Sequence, residues 1–275
     1  MRPRCAAWLL GLALSFSATL AKADVPTVAA ASSLQFAFPA LIEAFRAETG
    51  GEVRVNFGSS GNFRRQILQG APFELFLSAD EINIDALEEA GRLVGESRVY
   101  AVGRLVWLQR AGRDDLPEAD DPLAGVREAL AAHAAGEGRP RIALANPEHA
   151  PYGIAAREAL EHAGLWEETT PLRVFGENVS QAAQFALTSD ARGGLVAESL
   201  ALAPQLAERG EYVLIPEAWH APLVQRMALV QGAGETARAF HAWLQEEEAR
   251  TILVDHGFRL PAPEAPPTDA GDATP

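Results

Sequence analysis

Apolar positions along this chain switch repeatedly between two periods. Val53 to Phe57 reads Val-Arg-Val-Asn-Phe, the period of two expected of a half-buried strand, whereas Leu34, Phe38, Leu41, Ile42 and Phe45 recur on one helix face. That helix is predicted to open at Ser32-Ser33 and to stop at Gly50-Gly51. A short apolar run at 27–30 precedes it as a first strand. After the strand at 53–57 come Gly58-Ser59-Ser60-Gly61 and a helix over 62–69. A strand at 74–77 leads through Ser78-Ala79-Asp80 into a helix over 82–90, closed by Gly91. Strands at 141–145, 172–175 and 194–197 precede predicted helices over 154–162, 179–187 and 198–208 in the same way. Strand, loop and helix in this rhythm predict parallel α/β sheets.

Acidic, turn-rich residues 112–122 and the loop 136–140 separate the two halves. The apolar stretch 104–109 is a candidate crossover between them, and 216–222 a candidate return. A helix predicted over 236–255 is assigned to the first half. One lobe then comprises 24–102 with 224–260, and the other 103–223. At the start, Arg2 and Arg4 precede an apolar run over 5–20 and then Ala21-Lys22-Ala23, the build of an export signal with a small-x-small cleavage site. Residues 1–23 are expected to be removed, leaving Asp24 first. The run is shorter than the roughly 18 residues a spanning helix needs. Cys5 lies at its start and not after it, which argues against a lipid anchor there. The Pro-, Ala-, Asp- and Thr-rich residues 261–275 have little to bury and are expected to be disordered.

Composition narrows the chemistry. With 275 residues at 48% hydrophobic, the chain can bury one large core or two moderate ones. Its formal charge is −14, and loss of Arg2, Arg4 and Lys22 with the signal makes it −17. Such a surface repels nucleic acid and anionic lipid. Lys22 is the only lysine and Cys5 the only cysteine. The exported chain therefore has no Schiff-base or P-loop lysine, no disulfide, no cysteine ligand and no cysteine nucleophile. The six histidines show no zinc-binding spacing.

Four loops that run from a strand into a helix carry hydroxyls and glycines where charges could have stood: Ala31-Ser32-Ser33-Leu34, Gly58-Ser59-Ser60-Gly61, Pro151-Tyr152-Gly153-Ile154 and Gly176-Glu177-Asn178-Val179-Ser180. Helix N-termini present unpaired N–H groups and a partial positive charge, which hold an anion without any cationic side chain. In α/β sheets such loops gather beyond the carboxyl ends of the strands. Each loop alone also reads as an ordinary helix cap. The doubled serine in the first two exceeds what capping needs.

Together, Val28-Ala29-Ala30-Ala31-Ser32-Ser33-Leu34, Phe57-Gly58-Ser59-Ser60-Gly61 with Gln66-Ile67, Gly70-Ala71-Pro72 and Ser78-Ala79-Asp80 resemble the first lobe of periplasmic molybdate-binding proteins, the receptors of molybdate ABC importers. Asn146-Pro147-Glu148-His149-Ala150-Pro151-Tyr152-Gly153, Glu158-Ala159-Leu160 and Gly176-Glu177-Asn178-Val179 resemble the second. The likeness runs from about Val25 to Leu260. It implies a two-lobed type II binding protein, each lobe a mixed, mostly parallel sheet flanked by helices, with a double-crossover hinge. It also implies molybdate or tungstate held between the lobes, an ABC permease as partner, a periplasmic monomer, no catalysis and no cofactor; the metal is molybdenum inside the oxyanion, gripped through its oxygens. Carried over by position, Ser33 and Ser60 are hydroxyl ligands, Tyr152 and Val179 give backbone N–H groups, and Ser32 is an extra donor. Many members have a tyrosine where this chain has Ala197. Either Ser32 or the Tyr152 hydroxyl is expected to compensate.

A tetrahedral dianion without protons needs donors only, and a site lacking carboxylates disfavours phosphate species that carry a proton. Two alternatives stand beside this reading: a receptor of the same fold for another oxyanion such as sulfate, and a secreted hydrolase. Gly58-Ser59-Ser60-Gly61 misses the G-x-S-x-G elbow by one residue. His149 is expected to stabilise its loop or to lie on the surface.

Overall fold

The computed structural model describes residues 25–113, 115–188 and 190–261, so the export-signal and tail readings lie outside the described residues, apart from Pro261. Ten strands are present among them: β1 (Thr27–Ala31), β2 (Arg54–Gly58), β3 (Leu75–Leu77), β4 (Leu93–Gly103), β5 (Leu105–Arg110), β6 (Arg141–Ala145), β7 (Arg173–Gly176), β8 (Ala191–Ala197), β9 (Gly210–Leu214) and β10 (Leu223–Val230). The helices are α1 (Phe38–Thr49), α2 (Ser60–Leu68), α3 (Ile82–Glu89), α4 (Ala124–Ala134), α5 (Pro151–His162), α6 (Val179–Ala186), α7 (Glu198–Ala201), α8 (Pro204–Ala207), α9 (Glu235–Trp243) and α10 (Glu247–Asp255).

The strands form two five-stranded sheets, ordered β2-β1-β3-β10-β4 and β7-β6-β8-β5-β9. Both follow one plan. A parallel trio (β2, β1, β3 or β7, β6, β8) is extended by two antiparallel neighbours. The fourth strand of each sheet, β10 or β5, enters from the other lobe. Only Arg104 separates β4 from β5, and the return from β9 to β10 passes through a 3-10 turn at Glu217–Trp219. A third segment joins this hinge: Val102 and Arg259 exchange two backbone hydrogen bonds of 2.7 and 2.9 Å.

Side-chain alternation divides the first lobe's core between its sheet faces. Val28, Ala30, Leu75 and Leu77 pack with Phe38, Phe45, Phe240 and Trp243, while Ala29 and Phe76 pack with Phe63, Ile67 and Phe73. Phe240 meets Phe45 edge to face at 4.9 Å and Phe38 at 5.9 Å. The C-terminal helices thus complete the first lobe's core.

Two predicted helices are broken. That over 198–208 divides into α7 and α8, because Pro204 has no N–H to donate and Ala203 before it is extended (ψ 133°). That over 236–255 divides into α9 and α10 at the extended Glu246, which lets Phe240, Leu244 and Leu253 all reach one cluster. Tertiary packing overrides helical pattern there. At the N-terminus, Ser32–Leu34 is a 3-10 turn, and α1 begins only at Phe38. Conversely, α2 and α5 start earlier than predicted, at Ser60 and Pro151, which places the candidate loop residues inside first helical turns.

Candidate functional site

β1, β2, β6 and β7 all end beside the opposite lobe, and the segments that follow them line a small, tight cavity between the lobes. Ser32, Ser33, Ser60, Tyr152 and Val179, all five predicted residues, line it, with Ser59, Gly58, Ala79 and Ala150–Pro151 between them. Among the described residues, no charged side chain lines it. Ala197 ends β8, is fully buried, and takes no part in the lining.

Local structure explains the donors. Ser60 and Val179 are the first residues of α2 and α6, and Tyr152 the second of α5. N–H groups at such positions have no acceptor within their own helix. The capping alternative separates cleanly by residue. Asn178 is a true cap, its side chain accepting from Gln181 N–H at 3.0 Å. Ser59, although it precedes α2, makes no side-chain cap bond. Ser60 Oγ accepts instead from Ala79 N–H at 3.0 Å, which leaves its own proton for the cavity. Ser33 Oγ, in a residue 1% exposed, stands against the Tyr152 phenol but meets no partner in full hydrogen-bonding geometry among the described residues. A buried hydroxyl left without a well-aligned partner costs about 1–3 kcal/mol, and one so placed is a ready donor to an anion.

The lobes touch around this cavity. Ser180 N–H donates to Ser32 Oγ at 3.3 Å, and Ser199 Oγ donates to the Ser33 carbonyl at 2.9 Å. Ser180 Oγ also meets Gln35. On the opposite rim, Gly61 N–H donates to the His149 carbonyl at 2.9 Å, and Ser59 Oγ lies 2.9 Å from His149 Nδ1. A Cβ on Gly61 would stand 2.7 Å from that carbonyl oxygen, so only glycine permits this approach. His149 is therefore neither a surface residue nor confined to steadying its own loop: it reaches across the cleft. Sequence reasoning missed Gln35, Ser199 and the pairing of His149 with Ser59, because each depends on the other lobe's position.

Carboxylates stand just outside the lining: Asp80 follows Ala79, and Glu177 lies 3.7 Å from His149 Nε2. Glu198, next to Ala197, is the nearest buried carboxylate. Burial pushes its carboxyl above the usual carboxylate range, opposed by Arg104 at 3.4 Å and by Arg259. Tyr152 and Tyr100 are buried, and burial raises both phenols well above their ordinary pKa, so both stay protonated.

Residues 26–259 match the bacterial extracellular solute-binding protein family. The chain belongs to it. Among solute-binding relatives, the molybdate-binding protein ModA of Rhodobacter capsulatus is 34% identical over 261 residues, covering 93% of this chain and 96% of the relative. ModA of Escherichia coli is 31% identical over 264 residues, covering 91% and 96%. Among solved structures, the periplasmic molybdate-binding protein of Azotobacter vinelandii superposes with a TM-score of 0.75 at 29% identity, covering 86% of this chain and all of that one. The sulfate-binding protein SubI of Mycobacterium tuberculosis (TM-score 0.68, 17% identity, 86% of each chain) shares the fold alone. The two-lobed receptor architecture expected from sequence is thus present, as is the family.

Proposed function

We propose that this protein captures molybdate, and tungstate with it, between its lobes outside the cytoplasmic membrane and delivers the anion unchanged to the permease of an ABC importer. The observation that carries the reading is the cavity itself: hydroxyls and first-turn N–H groups converge from both lobes, with no charged side chain in the lining among the described residues. Such a lining offers donors to a fully deprotonated tetrahedral anion. Charge-assisted bonds of about 1.5–3 kcal/mol each offset the cost of desolvating it. Ser33 and Ser60 give hydroxyls, Ser60, Tyr152 and Val179 give N–H groups, and Ser32 spans the cleft. The names of the relatives support the choice of molybdate. The protein acts as a monomer and catalyses nothing. Its acidic surface, −17 without the signal, suits salt-sensitive docking on basic patches of the permease.

Thermal melting of the exported protein against molybdate, tungstate, sulfate, phosphate and amino acids tests this. Ligand at a thousand times its dissociation constant adds about 4 kcal/mol of stability, or roughly 8–16 °C for a chain of this size. A shift with sulfate or an amino acid and none with molybdate or tungstate would refute the assignment.

A further inference from the structure

One contact across the cleft is made by a titratable side chain. His149, in the loop between β6 and α5, lies between the lobes with its side chain 8% exposed. Its Nδ1 is 2.9 Å from Ser59 Oγ of the opposite lobe, and its Nε2 is 3.7 Å from the Glu177 carboxylate. Ser59 in turn lines the cavity and makes no cap bond to α2. Glu177 is mostly exposed, so the imidazole connects solvent to the cavity wall.

The neutral ring carries one N–H. Placed on Nε2, it faces the Glu177 carboxylate, and Nδ1 then takes the Ser59 proton, leaving only oxygen lone pairs on Ser59 for whatever fills the cavity. Placed on Nδ1, it frees the Ser59 proton but turns the Nε2 lone pair toward a carboxylate. Only the doubly protonated ring satisfies both ends: Nε2–H points to Glu177, Nδ1–H donates to Ser59 Oγ, and the Ser59 hydroxyl is released to donate into the cavity. A dianion there favours this arrangement twice over, through the extra donor and through the positive charge behind it. Of the charged groups around the ring, Glu177 is the one within ion-pair distance among the described residues. Glu148 precedes the ring and is exposed, Asp80 follows the lining residue Ala79, and Arg64 and Arg65 lie one turn beyond Gly61 on α2, Arg65 bonded to Asn62.

We propose that capture of the oxyanion takes up one proton at His149, the Ser59 hydroxyl turning from the ring to the anion as it does so. This rests on the oxyanion reading of the cavity. The proton comes from the solvent and returns to it when the anion leaves. His149 acts through Ser59 and is a positioning residue. Ser59 and His149 belong to different lobes, so their pairing exists only in the closed cleft. Binding that favours the protonated ring is strongest at low pH and weakens as pH rises through the range where imidazoles lose their charge.

Calorimetric titration with sodium molybdate near neutral pH, repeated in phosphate-free buffers of different ionisation heats, counts the protons. The apparent heat should vary with buffer by an amount equal to roughly half a proton taken up per anion, and affinity should fall about 3- to 10-fold between about pH 6 and 8. His149→Gln keeps an N–H for Ser59 but cannot titrate; its binding heat should not depend on the buffer, and its pH profile should be flat. Ser59→Ala should lose at least half of the uptake. A histidine that merely braced the cleft would leave the unmodified protein with buffer-independent heats, and that result would overturn the proposal. Undiminished uptake in His149→Gln would overturn it too, and if that variant does not fold, undiminished uptake in Ser59→Ala does so equally. Failure of the underlying reading looks different: the unmodified protein would give no heat with molybdate, tungstate or sulfate in any buffer.

Discussion

Replacing Gly61 by alanine should separate the closure of the cleft from the stability of the fold. Gly61 sits in the first turn of α2, where its N–H reaches across to the His149 carbonyl. An added Cβ would lie 2.7 Å from that oxygen and 3.0 Å from His149 Cα and Cβ. These are backbone and near-backbone atoms of the opposite lobe, so relief requires the lobes to part by about half an ångström or more. Overpacking of this kind costs about 1–3 kcal/mol, and here it falls on the closed form alone. Affinity for molybdate should drop roughly 5- to 150-fold. Without ligand, once the lobes part, alanine should instead favour α2 by about 0.5–1 kcal/mol. Titration calorimetry with molybdate, paired with thermal melts without it, reads both signs in one variant. Gly61→Ala binding as tightly as the unmodified protein would show that the closed contact is not part of the bound state.

Ser33→Ala and Ser60→Ala should each weaken molybdate binding by about 1.5–3 kcal/mol, yet differ without ligand. Ser33→Ala removes a hydroxyl that lacks a well-aligned partner and should leave melting unchanged or raised, whereas Ser60→Ala strands Ala79 N–H and should lower it; identical melting shifts would contradict these roles. Burial first, and the Arg98 cation second, hold the His241 imidazole below its ordinary pKa. The stability this confers is present above about pH 6.5 and lost as pH falls through that value toward the lowered one. Melting temperature should therefore fall on acidification, less steeply in His241→Gln; parallel acid slopes would refute this. Phe240→Ala should cost about 3–5 kcal/mol of stability in denaturant melts while leaving the affinity of the folded fraction unchanged.

How far sequence reaches depends on the range of the interaction. The strand 141–145 and the residues lining the cavity were legible because period, glycine stops and hydroxyl-rich loops are local signals. β4 escaped because Glu96, Ser97 and Arg98 interrupt its apolar pattern on a strand that is half exposed. The breaks at Ala203 and Glu246 differ in kind: Pro204 was a readable warning, whereas Glu246 turns only because α10 must face the cluster built by α1. Gln225 carries no local signal for its place in the core. It sits beside Arg226 in an otherwise apolar strand, and its meaning comes from Tyr100 and Tyr152, 125 and 73 positions away.

The return of the chain from β9 to β10 also orders events during folding. The second sheet uses one uninterrupted stretch, β5 to β9, so everything it needs is available once residue 214 has emerged. The first sheet cannot close then. Until β10 arrives, β3 is an unpaired edge bearing Leu75, Phe76 and Leu77, and the aromatic cluster waits for Phe240 and Trp243. The lobe that begins first is completed last, through contacts nearly 200 residues apart, such as Trp243 with Glu48, a separation of 195. Closing such distant contacts is slow, and an exposed apolar edge in the meantime invites aggregation. The same threading that lets two lobes share a hinge therefore leaves a late, vulnerable interval in assembly, and strand β10 is what ends it.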